Sequence, residues 1–167
     1  LTTEAGFTTL GTIAPDGTAL LYSTTGAATF RRPPVAGATP AGRAGGASTS
    51  FGVLNLATKA IRTISGTGAT MSANGGTIAW ISRTADAYTL NVSPALADAV
   101  RVVRTGRERL DAPSLSPDGT RVAYQLMQFT DWELYISDGV AHTRVTRDIQ
   151  HDILPRFLTN TTLLGMM

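Results

Sequence analysis

A chain of 167 residues with 43% apolar and 16% charged residues can bury one ordinary core, so we expect a single domain. Its net charge of +2 comes with 13 Arg and one Lys that are scattered, without the basic stripe and interleaved aromatic residues of a nucleic-acid binder. The lack of cysteine excludes disulfides and thiolate metal sites, and no apolar run is long enough to span a membrane. The 17 Gly, with many Thr and Ser, favour short strands and turns over long helices.

A tight turn between two apolar strands is the first element of the chain, and it recurs. Asp16 lies in the first such turn, and its counterparts are Asn74, Asp118 and Asn160, at spacings of 58, 44 and 42 residues. In the clearest copy, Pro117 presets φ, the aspartate can bond its own backbone and the following glycine accepts positive φ. The turn residues predicted in this way are Asp16, Gly17, Asn74, Gly75, Asp118, Gly119 and Asn160.

A second pair of short strands fills each interval between turns, for example 133–136 followed by 142–146. Each repeat is therefore four antiparallel strands in about 42 residues, which is the size of a β-propeller blade. The sequence predicts an all-β fold, a partial β-propeller of about three four-stranded antiparallel blades plus the first hairpin of a fourth. The expected divisions are a blade tail at 1–10, blades at 11–66, 67–106 and 111–147, and the start of the next blade at 153–167.

The first blade contains the one major irregularity of the repeat. Residues 31–50 include three Pro and four Gly and show no strand pattern, so we predict a disordered insertion there. The chain begins at Leu1 and ends in the apolar run 163–167. We therefore expect a fragment of one larger propeller domain, in which the missing blades of the same propeller are partners of the end blades.

The best-defined repeat has Ser-Pro-Asp-Gly-Thr at 116–120, Val-Ala-Tyr at 122–124, a Leu-Tyr-Ile strand before Asp-Gly at 138–139, and Arg-Val-Thr at 144–146. This pattern resembles the WD40-like repeat of the TolB type. The middle blade departs from it, since Ala73-Asn74 replaces Pro-Asp. The resemblance implies a six- to eight-bladed propeller and a periplasmic or secreted location. Similar families include periplasmic TolB-like binding partners and propellers attached to prolyl-oligopeptidase-like, tricorn-like or metal-dependent hydrolases.

No stretch of the sequence predicts catalysis or a cofactor. Gly-Ala-Ser-Thr-Ser at 46–50 approaches a nucleophile elbow, but its last Gly is missing and no buried strand precedes it. Asp148, His151 and Asp152 offer oxygen and nitrogen ligands within five residues, yet they also fit a solvated loop between blades. We predict no catalytic residue, no cofactor and no metal site, and leave metal binding by this last group as the open alternative.

The loop 128–132 joins the second and third strands of the best-defined blade and sets Phe129 and Trp132 beside Asp131. Exposed aromatic residues next to polar groups are typical binding anchors, although such rings also pack between blades. In a propeller, this loop shares one face with the loops that enter the innermost strands, and with 31–50. The residues predicted on this binding face are Gln128, Phe129, Asp131, Trp132, Arg107, Asp148, His151 and Asp152.

These features predict a non-catalytic propeller segment of a larger bacterial protein that acts as a protein- or peptide-binding scaffold, because loops on a rigid scaffold are where binding usually resides. The alternative is a substrate-gating propeller of a hydrolase or peptidase whose catalytic domain lies outside this chain. No nucleophile with a paired base is recognisable in the sequence, so chemistry would have to come from elsewhere.

Overall fold

The computed structural model describes residues 6–26, 49–147 and 151–166. Within these ranges the chain folds into 14 strands, and no α-helix occurs there. None of the described residues forms a helix with the length and apolarity needed to cross a membrane. Most of the predicted insertion, residues 31–48, lies outside the described residues, as do Leu1 to Ala5.

Three antiparallel four-stranded sheets follow one another along the chain, and each has its strands in sequential order. The first sheet contains β1 (Gly6–Ile13), β2 (Ala19–Gly26), β3 (Thr49–Asn55) and β4 (Ile61–Ser65). The second contains β5 (Thr67–Met71), β6 (Thr77–Arg83), β7 (Tyr88–Pro94) and β8 (Arg101–Gly106). The third contains β9 (Leu110–Leu115), β10 (Val122–Gln128), β11 (Asp131–Ser137) and β12 (His142–Arg144). A two-stranded hairpin of β13 (Ile153–Phe157) and β14 (Leu163–Met166) completes them.

This architecture confirms the predicted fold class, an all-β partial propeller of three four-stranded blades and one further hairpin. Within each sheet, consecutive strands pair with their chain neighbours in antiparallel fashion, and apart from the connection between β2 and β3 the links are short. The sheets then pack face to face in chain order, with β9 against β5 and β6, and β13 against β9 and β10. This is how a propeller places the innermost strands of successive blades side by side.

The strand bounds correct the expected divisions at two places in the first blade. Residues 6–10, expected in a blade tail, belong to β1 and pair with Tyr22 to Gly26 of β2. Thr49 and Ser50, expected in the insertion, open β3 and also pair with β2. Both segments contain Thr, a residue that favours strands, but neither shows the alternation of apolar residues that identifies a strand in the sequence.

Strand β6 shows how one sequence supports two interfaces. Its alternate residues Ile78 and Trp80 join the apolar cluster shared with the first sheet. Ala79 and Ile81 point the other way, into the cluster shared with the third sheet. Because successive side chains of a strand point to opposite faces, a continuous apolar run can serve both neighbours. Fully burying a residue such as Ile78 contributes about 1.5–3 kcal/mol.

Two of the predicted turns, those of the second and third blades, are built alike. In the third blade, Ser116 Oγ donates to Asp118 Oδ1 at 2.6 Å, and the amide of Arg121 donates to Ser116 Oγ at 3.0 Å. The second blade repeats this arrangement with Ser72 and Asn74. The glycine that follows the Asx residue has positive φ in three turns, as this turn geometry requires. The φ values are 70° at Gly17, 76° at Gly75 and 74° at Gly119.

Candidate functional site

The candidate site lies in the third blade, where the pairing of the outermost strand β12 with β11 ends. Strand β12 pairs with β11 only from Tyr135 to Ser137. One residue earlier, the amide of Leu134 donates instead to the side-chain oxygen of Thr146, at 2.9 Å, while the amide of Val145 donates to Leu134 O at 2.8 Å. The regular pairing of β12 therefore ends here and a side chain takes over the contact with β11, next to a cleft at the start of β11.

A buried ion pair forms the floor of this cleft. Glu133 is only 2% exposed, and its Oε1 is in contact with Arg144 Nη2. Its other oxygen accepts a hydrogen bond from Thr146 Oγ1 at 2.9 Å, and Arg144 Nε donates to Thr146 O at 2.7 Å. The hydrogen bond with Glu133 raises the pKa of Arg144 above its ordinary value. Both carboxylate oxygens are thus satisfied within the protein, as a buried charge requires.

An aspartate–histidine pair forms one wall. The distance from His151 Nδ1 to Asp131 Oδ1 is 2.8 Å, and the same oxygen accepts from the amide of Trp132 at 2.8 Å. The amide of Trp132 also lies 3.3 Å from His151 Nδ1, but its shorter bond is to Asp131, and a carboxylate accepts only, so the 2.8 Å contact assigns a proton to Nδ1. The other ring nitrogen, Nε2, is then left on the free side of an imidazole whose side chain is 60% exposed.

The rim of the cleft is the hairpin tip between β10 and β11. Gln128 pairs with Asp131, so the loop consists of Phe129 and Thr130 alone. Phe129 has φ of 54° and is fully exposed, at 103% of its reference accessibility. Gln128 Nε2 donates to Tyr135 Oη at 2.6 Å, which ties the base of the hairpin to the blade.

Trp132 occupies the back of the hairpin. It is partly buried, and the guanidinium of Arg109 lies 5.2 Å from its ring centroid, which is a cation–π distance. The amide of Asp152 donates to Trp132 O at 3.0 Å and fixes the segment that carries His151. The two aromatic residues of the hairpin therefore differ: the Trp132 ring is partly buried, and the Phe129 ring is open to solvent.

The cleft has a volume of about 510 Å³. Its lining includes four of the residues predicted from the sequence, Gln128, Phe129, Asp131 and His151, together with Thr130, Glu133, Arg144 and Arg147. Arg107 is exposed in the turn after β8 and is not part of this lining. Asp148 falls outside the described residues.

The interpretation of Asp152 as part of a solvated loop is wrong, since this residue is only 3% exposed. Its amide pairs with Trp132, as strand-like segments do, and this pairing draws it beneath the hairpin. In the part of the chain that the structure describes, no three His, Asp or Glu residues are grouped so that they could hold a metal ion.

Glu133, Arg144 and Arg147 are site residues that the sequence did not reveal. The available signal was an acidic residue inside a largely apolar strand, with an arginine, Arg144, on the next strand opposite Tyr135. A buried carboxylate is rare unless it is paired, so a Glu within a strand that faces the core calls for a cation nearby. Which cation supplies the charge depends on where the pairing of β12 with β11 ends, and no local pattern specifies that point.

The fold can be placed among solved structures. No protein-family model matches this sequence, and no curated protein matches it. TolB from Acinetobacter baumannii is similar with a TM-score of 0.62 and 20% identity, over 93% of this chain and 36% of that chain. A TolB-type protein from Agrobacterium tumefaciens is similar with a TM-score of 0.61 and 16% identity, over 87% of this chain and 48% of that chain.

The β-propeller domain of the Trilobed protease from Pyrococcus furiosus is similar with a TM-score of 0.58 and 14% identity, over 88% of this chain and 45% of that chain. This chain thus spans between 36% and 48% of the length of the three structures. Together with the sheet order and the repeated turns, these similarities confirm the predicted architecture: the chain has the fold of part of a TolB-like β-propeller.

Proposed function

We propose that this propeller segment is a non-catalytic scaffold that binds a protein or peptide partner in the cleft beside the β10–β11 hairpin. The observation that carries this proposal is Phe129, an aromatic side chain that is fully exposed on a backbone with φ of 54°. A non-glycine residue in this region costs about 1–2 kcal/mol. Neither packing nor backbone preference accounts for a phenylalanine here, whereas a partner that covers the ring does.

The surroundings of Phe129 support binding. The cleft beside it has the size of typical ligand sites, which run from about 300 to 1,000 Å³. It is built on two paired strands, and Gln128 holds the hairpin to the blade through Tyr135. A rigid frame lowers the entropy that must be lost on binding, because the side chains do not need to be ordered by the partner.

The Asp131–His151 pair does not by itself favour catalysis. An acid–base pair activates a nucleophile when a hydroxyl or thiol is hydrogen-bonded to the imidazole. Among the described residues, the contacts of the His151 ring are with Asp131 and the amide of Trp132, and no Ser or Thr hydroxyl joins them. We therefore assign the pair to shaping the cleft and presenting the free imidazole nitrogen to a ligand.

A random peptide display selection on the full chain tests this proposal. Wild-type protein should enrich a peptide family, and Phe129→Ser should lose binding of the selected peptides by about tenfold or more, as expected for an aromatic anchor. Val140→Ser is the matched control, because Val140 is 92% exposed in the β11–β12 turn, outside the cleft lining. Equal losses in both variants, or no enriched peptide, would refute binding at this cleft.

The alternative is that the segment gates substrate access for a hydrolase or peptidase whose catalytic domain lies outside this chain. It is kept because one structure with this fold is the β-propeller domain of the Trilobed protease from Pyrococcus furiosus. At 14% identity, this similarity supports the fold only. The flanking gene sequence therefore has to distinguish a binding scaffold from a substrate-gating propeller. A nucleophile elbow or a metal-dependent hydrolase domain encoded downstream would favour gating.

We also propose a periplasmic or secreted location for the whole protein. The support is the TolB-type pattern of the best-defined repeat, together with the similarity of the fold to the two TolB-type structures. Fractionation of cells that express the full-length protein, with marker proteins for each compartment, tests this location.

A further inference from the structure

We propose that Asn74 is a site of spontaneous chemical modification, which loses its side-chain amide through a ring formed with Gly75 and is protected by the joint between the second and third blades. This inference goes beyond the proposed binding function and does not depend on it. It follows from the hydrogen bonds that hold the two nitrogen atoms that have to react.

Asn74 is the one asparagine of this chain that is followed by glycine. The other three, Asn55, Asn91 and Asn160, precede Leu, Val and Thr. Because glycine has no Cβ, its backbone amide can approach the preceding side chain more freely than the amide of a larger residue. Asparagine is a thermolabile residue, and before glycine it loses its amide most readily, without an enzyme. Asn74 is also exposed, so water reaches its side chain.

The reaction has two steps, and water is its only co-reactant. In the first step, the backbone nitrogen of Gly75 gives up its proton to a base in solution and attacks Cγ of Asn74. The new N–Cγ bond closes a five-membered succinimide, the Cγ–Nδ2 bond breaks, and Nδ2 takes up a proton and leaves as ammonia. In the second step, water opens the ring at one of its two carbonyl groups. The product is aspartate or isoaspartate, in which the backbone runs through the side-chain carbon.

Both nitrogen atoms of this reaction are engaged in the fold. The amide of Gly75 donates to Ser72 O at 2.9 Å, and Nδ2 of Asn74 donates to Asp118 O at 2.9 Å. The first bond is lost when the amide gives up its proton, and the second is lost when Nδ2 leaves. The reaction must therefore break one bond within the turn and one bond between blades, which should slow it by about tenfold or more.

The oxygen of the same side chain is held in a way that acts in the opposite direction. Oδ1 of Asn74 accepts from Ser72 Oγ at 2.7 Å and from the amide of Gly76 at 2.9 Å. Two donors stabilise the negative charge that develops on this oxygen during the attack, as in an oxyanion hole. Packing limits this advantage, because a Cβ on Gly75 would lie only 2.4 Å from Ala14 Cβ, so its backbone fits closely against the first blade. The reaction therefore waits for local opening of the turn.

The products cannot restore the joint between the blades. Aspartate at this position has no donor for Asp118 O and brings a second negative charge toward that turn. Isoaspartate lengthens the backbone by one methylene group, so the turn from Ser72 to Thr77 cannot keep its hydrogen bonds. Modified molecules thus accumulate with the age of the protein, and the modification weakens one specific contact between two blades.

Timed incubation of the full chain in mildly alkaline buffer, folded and in guanidinium chloride, tests this inference. The tryptic peptide 63–83 contains Asn74 as its only Asn and has no Gln, so its mass reports the modification at this residue. We expect aspartate and isoaspartate as separate products in the folded chain, formed about tenfold or more slowly than in the denatured chain. Absence of both products from both samples would overturn the site, and aspartate alone would overturn the ring. A rate in the folded chain that equals or exceeds the rate in denaturant would overturn the protection.

Gly119→Ala tests whether the joint, and not the fold in general, provides the protection. Gly119 has φ of 74°, and a Cβ there would lie 2.4 Å from Thr77 Oγ1 and 3.3 Å from Ser72 Cβ, so the substitution pushes the two turns apart. Gly17→Ala is the matched control, since Gly17 has φ of 70° and a Cβ there would have no neighbour within 4 Å. At temperatures where circular dichroism shows both variants folded, Asn74 should react several-fold faster in Gly119→Ala and at the wild-type rate in Gly17→Ala. Equal rates in the two variants would overturn the role of the joint.

Discussion

Asn74 donates a hydrogen bond from Nδ2 to the backbone oxygen of Asp118, at 2.9 Å, and thereby joins equivalent turns of two successive blades. The amide of Asn74 also donates to Pro117 O at 3.0 Å. The next step of the series is similar, since the amide of Asp118 donates to Asn160 Oδ1 at 3.0 Å. The repeated Asx residue therefore shapes its own turn and also links it to the next one.

This relationship leads to a first prediction, that Asn74→Asp weakens the joint between blades. Aspartate keeps the oxygen that serves the local turn, but it has no donor for Asp118 O and brings a second negative charge toward that turn. We expect the free energy of unfolding, measured in urea, to fall by about 1 kcal/mol.

Asn55→Asp is the matched control for this variant. Asn55 uses only its oxygen, which accepts from the amides of Ala57 and Thr58 within its own turn. Aspartate preserves both bonds, so stability should stay within about 0.5 kcal/mol. If both variants lose the same amount, the cross-blade bond contributes nothing measurable.

A second prediction concerns acid stability at Asp118. The hydroxyl of Ser116 and the amide of Thr120 hold the pKa of this carboxyl below its ordinary value of 3.8. Because the folded pKa is lowered, its stabilising contribution is present above the unfolded pKa and is lost as pH falls through the folded one. Asp118→Asn, whose side chain occurs at the equivalent positions 74 and 160, should therefore show a smaller loss of melting temperature upon acidification.

Thermal melts across mildly to strongly acidic buffers measure this effect. Asp86→Asn serves as the control, since Asp86 is an exposed aspartate outside the repeated turns. An acid-induced loss of melting temperature as steep in Asp118→Asn as in the wild type would contradict the assignment. Asp16 and Asp138 also have lowered pKa values, because of hydrogen bonds from Thr18 and from the amide of Val140 respectively, so the slope should shrink without vanishing.

A third prediction tests the floor of the cleft. Glu133→Gln removes the charge partner of Arg144 and leaves a half-satisfied polar group in a site that is 2% exposed. Because the Arg144 side chain is 32% exposed, water can solvate its charge, and we expect the loss at the buried Glu133 position to be about 1–3 kcal/mol, as for a buried polar group that lacks one partner.

Chemical denaturation of Glu108→Gln provides the comparison. Glu108 pairs with Arg104 at 3.9 Å on the surface, where the Glu side chain is 51% exposed, so its loss should cost less than about 1 kcal/mol. Similar losses for the two substitutions would mean that Glu133 and Arg144 do not act as a buried pair.

Local patterns predicted the parts of the fold that local chemistry determines. The turns around Asn74 and Asp118 could be read from the sequence because Ser, Asx and Gly fulfil their roles within five residues. Residues 6–10 were not predicted as part of a strand, because they lack the apolar alternation that is typical of a half-buried strand. Strand pairing there depends on the partner strand, which a local pattern does not contain.

The cleft could be predicted only in part, for a related reason. The hairpin 128–132 and His151 were recognisable as a polar and aromatic cluster on connecting segments. Arg144 and Arg147 were not, because their place in the cleft depends on the regular pairing of β12 with β11 ending after three residues. The pairing ends at Thr146, whose side-chain oxygen accepts the hydrogen bond of the Leu134 amide in place of a backbone oxygen. A single side-chain contact of this kind produces no periodic pattern in the sequence.

The last prediction separates stability from function at Phe129. Phe129→Gly removes a side chain that is fully exposed and relaxes a backbone with φ of 54°. Glycine accepts this conformation freely but also has a larger unfolded-state entropy, so the free energy of unfolding should stay unchanged or rise by up to about 1 kcal/mol. Binding of the selected peptides should nevertheless fall by about tenfold or more, because the aromatic anchor is lost.

Lys59→Gly distinguishes this effect from a general response to glycine. Lys59 has φ of 61° in the β3–β4 turn and lies outside the cleft lining, so its substitution relaxes a similar backbone without touching the site. We expect the same small change in stability and full peptide binding, measured by urea unfolding and fluorescence anisotropy. A loss of more than about 1 kcal/mol in Phe129→Gly alone would show that the ring packs within the protein, since relief of positive φ cannot destabilise the fold. The ring would then have a structural role, and the case for a partner at this cleft would lose its main support.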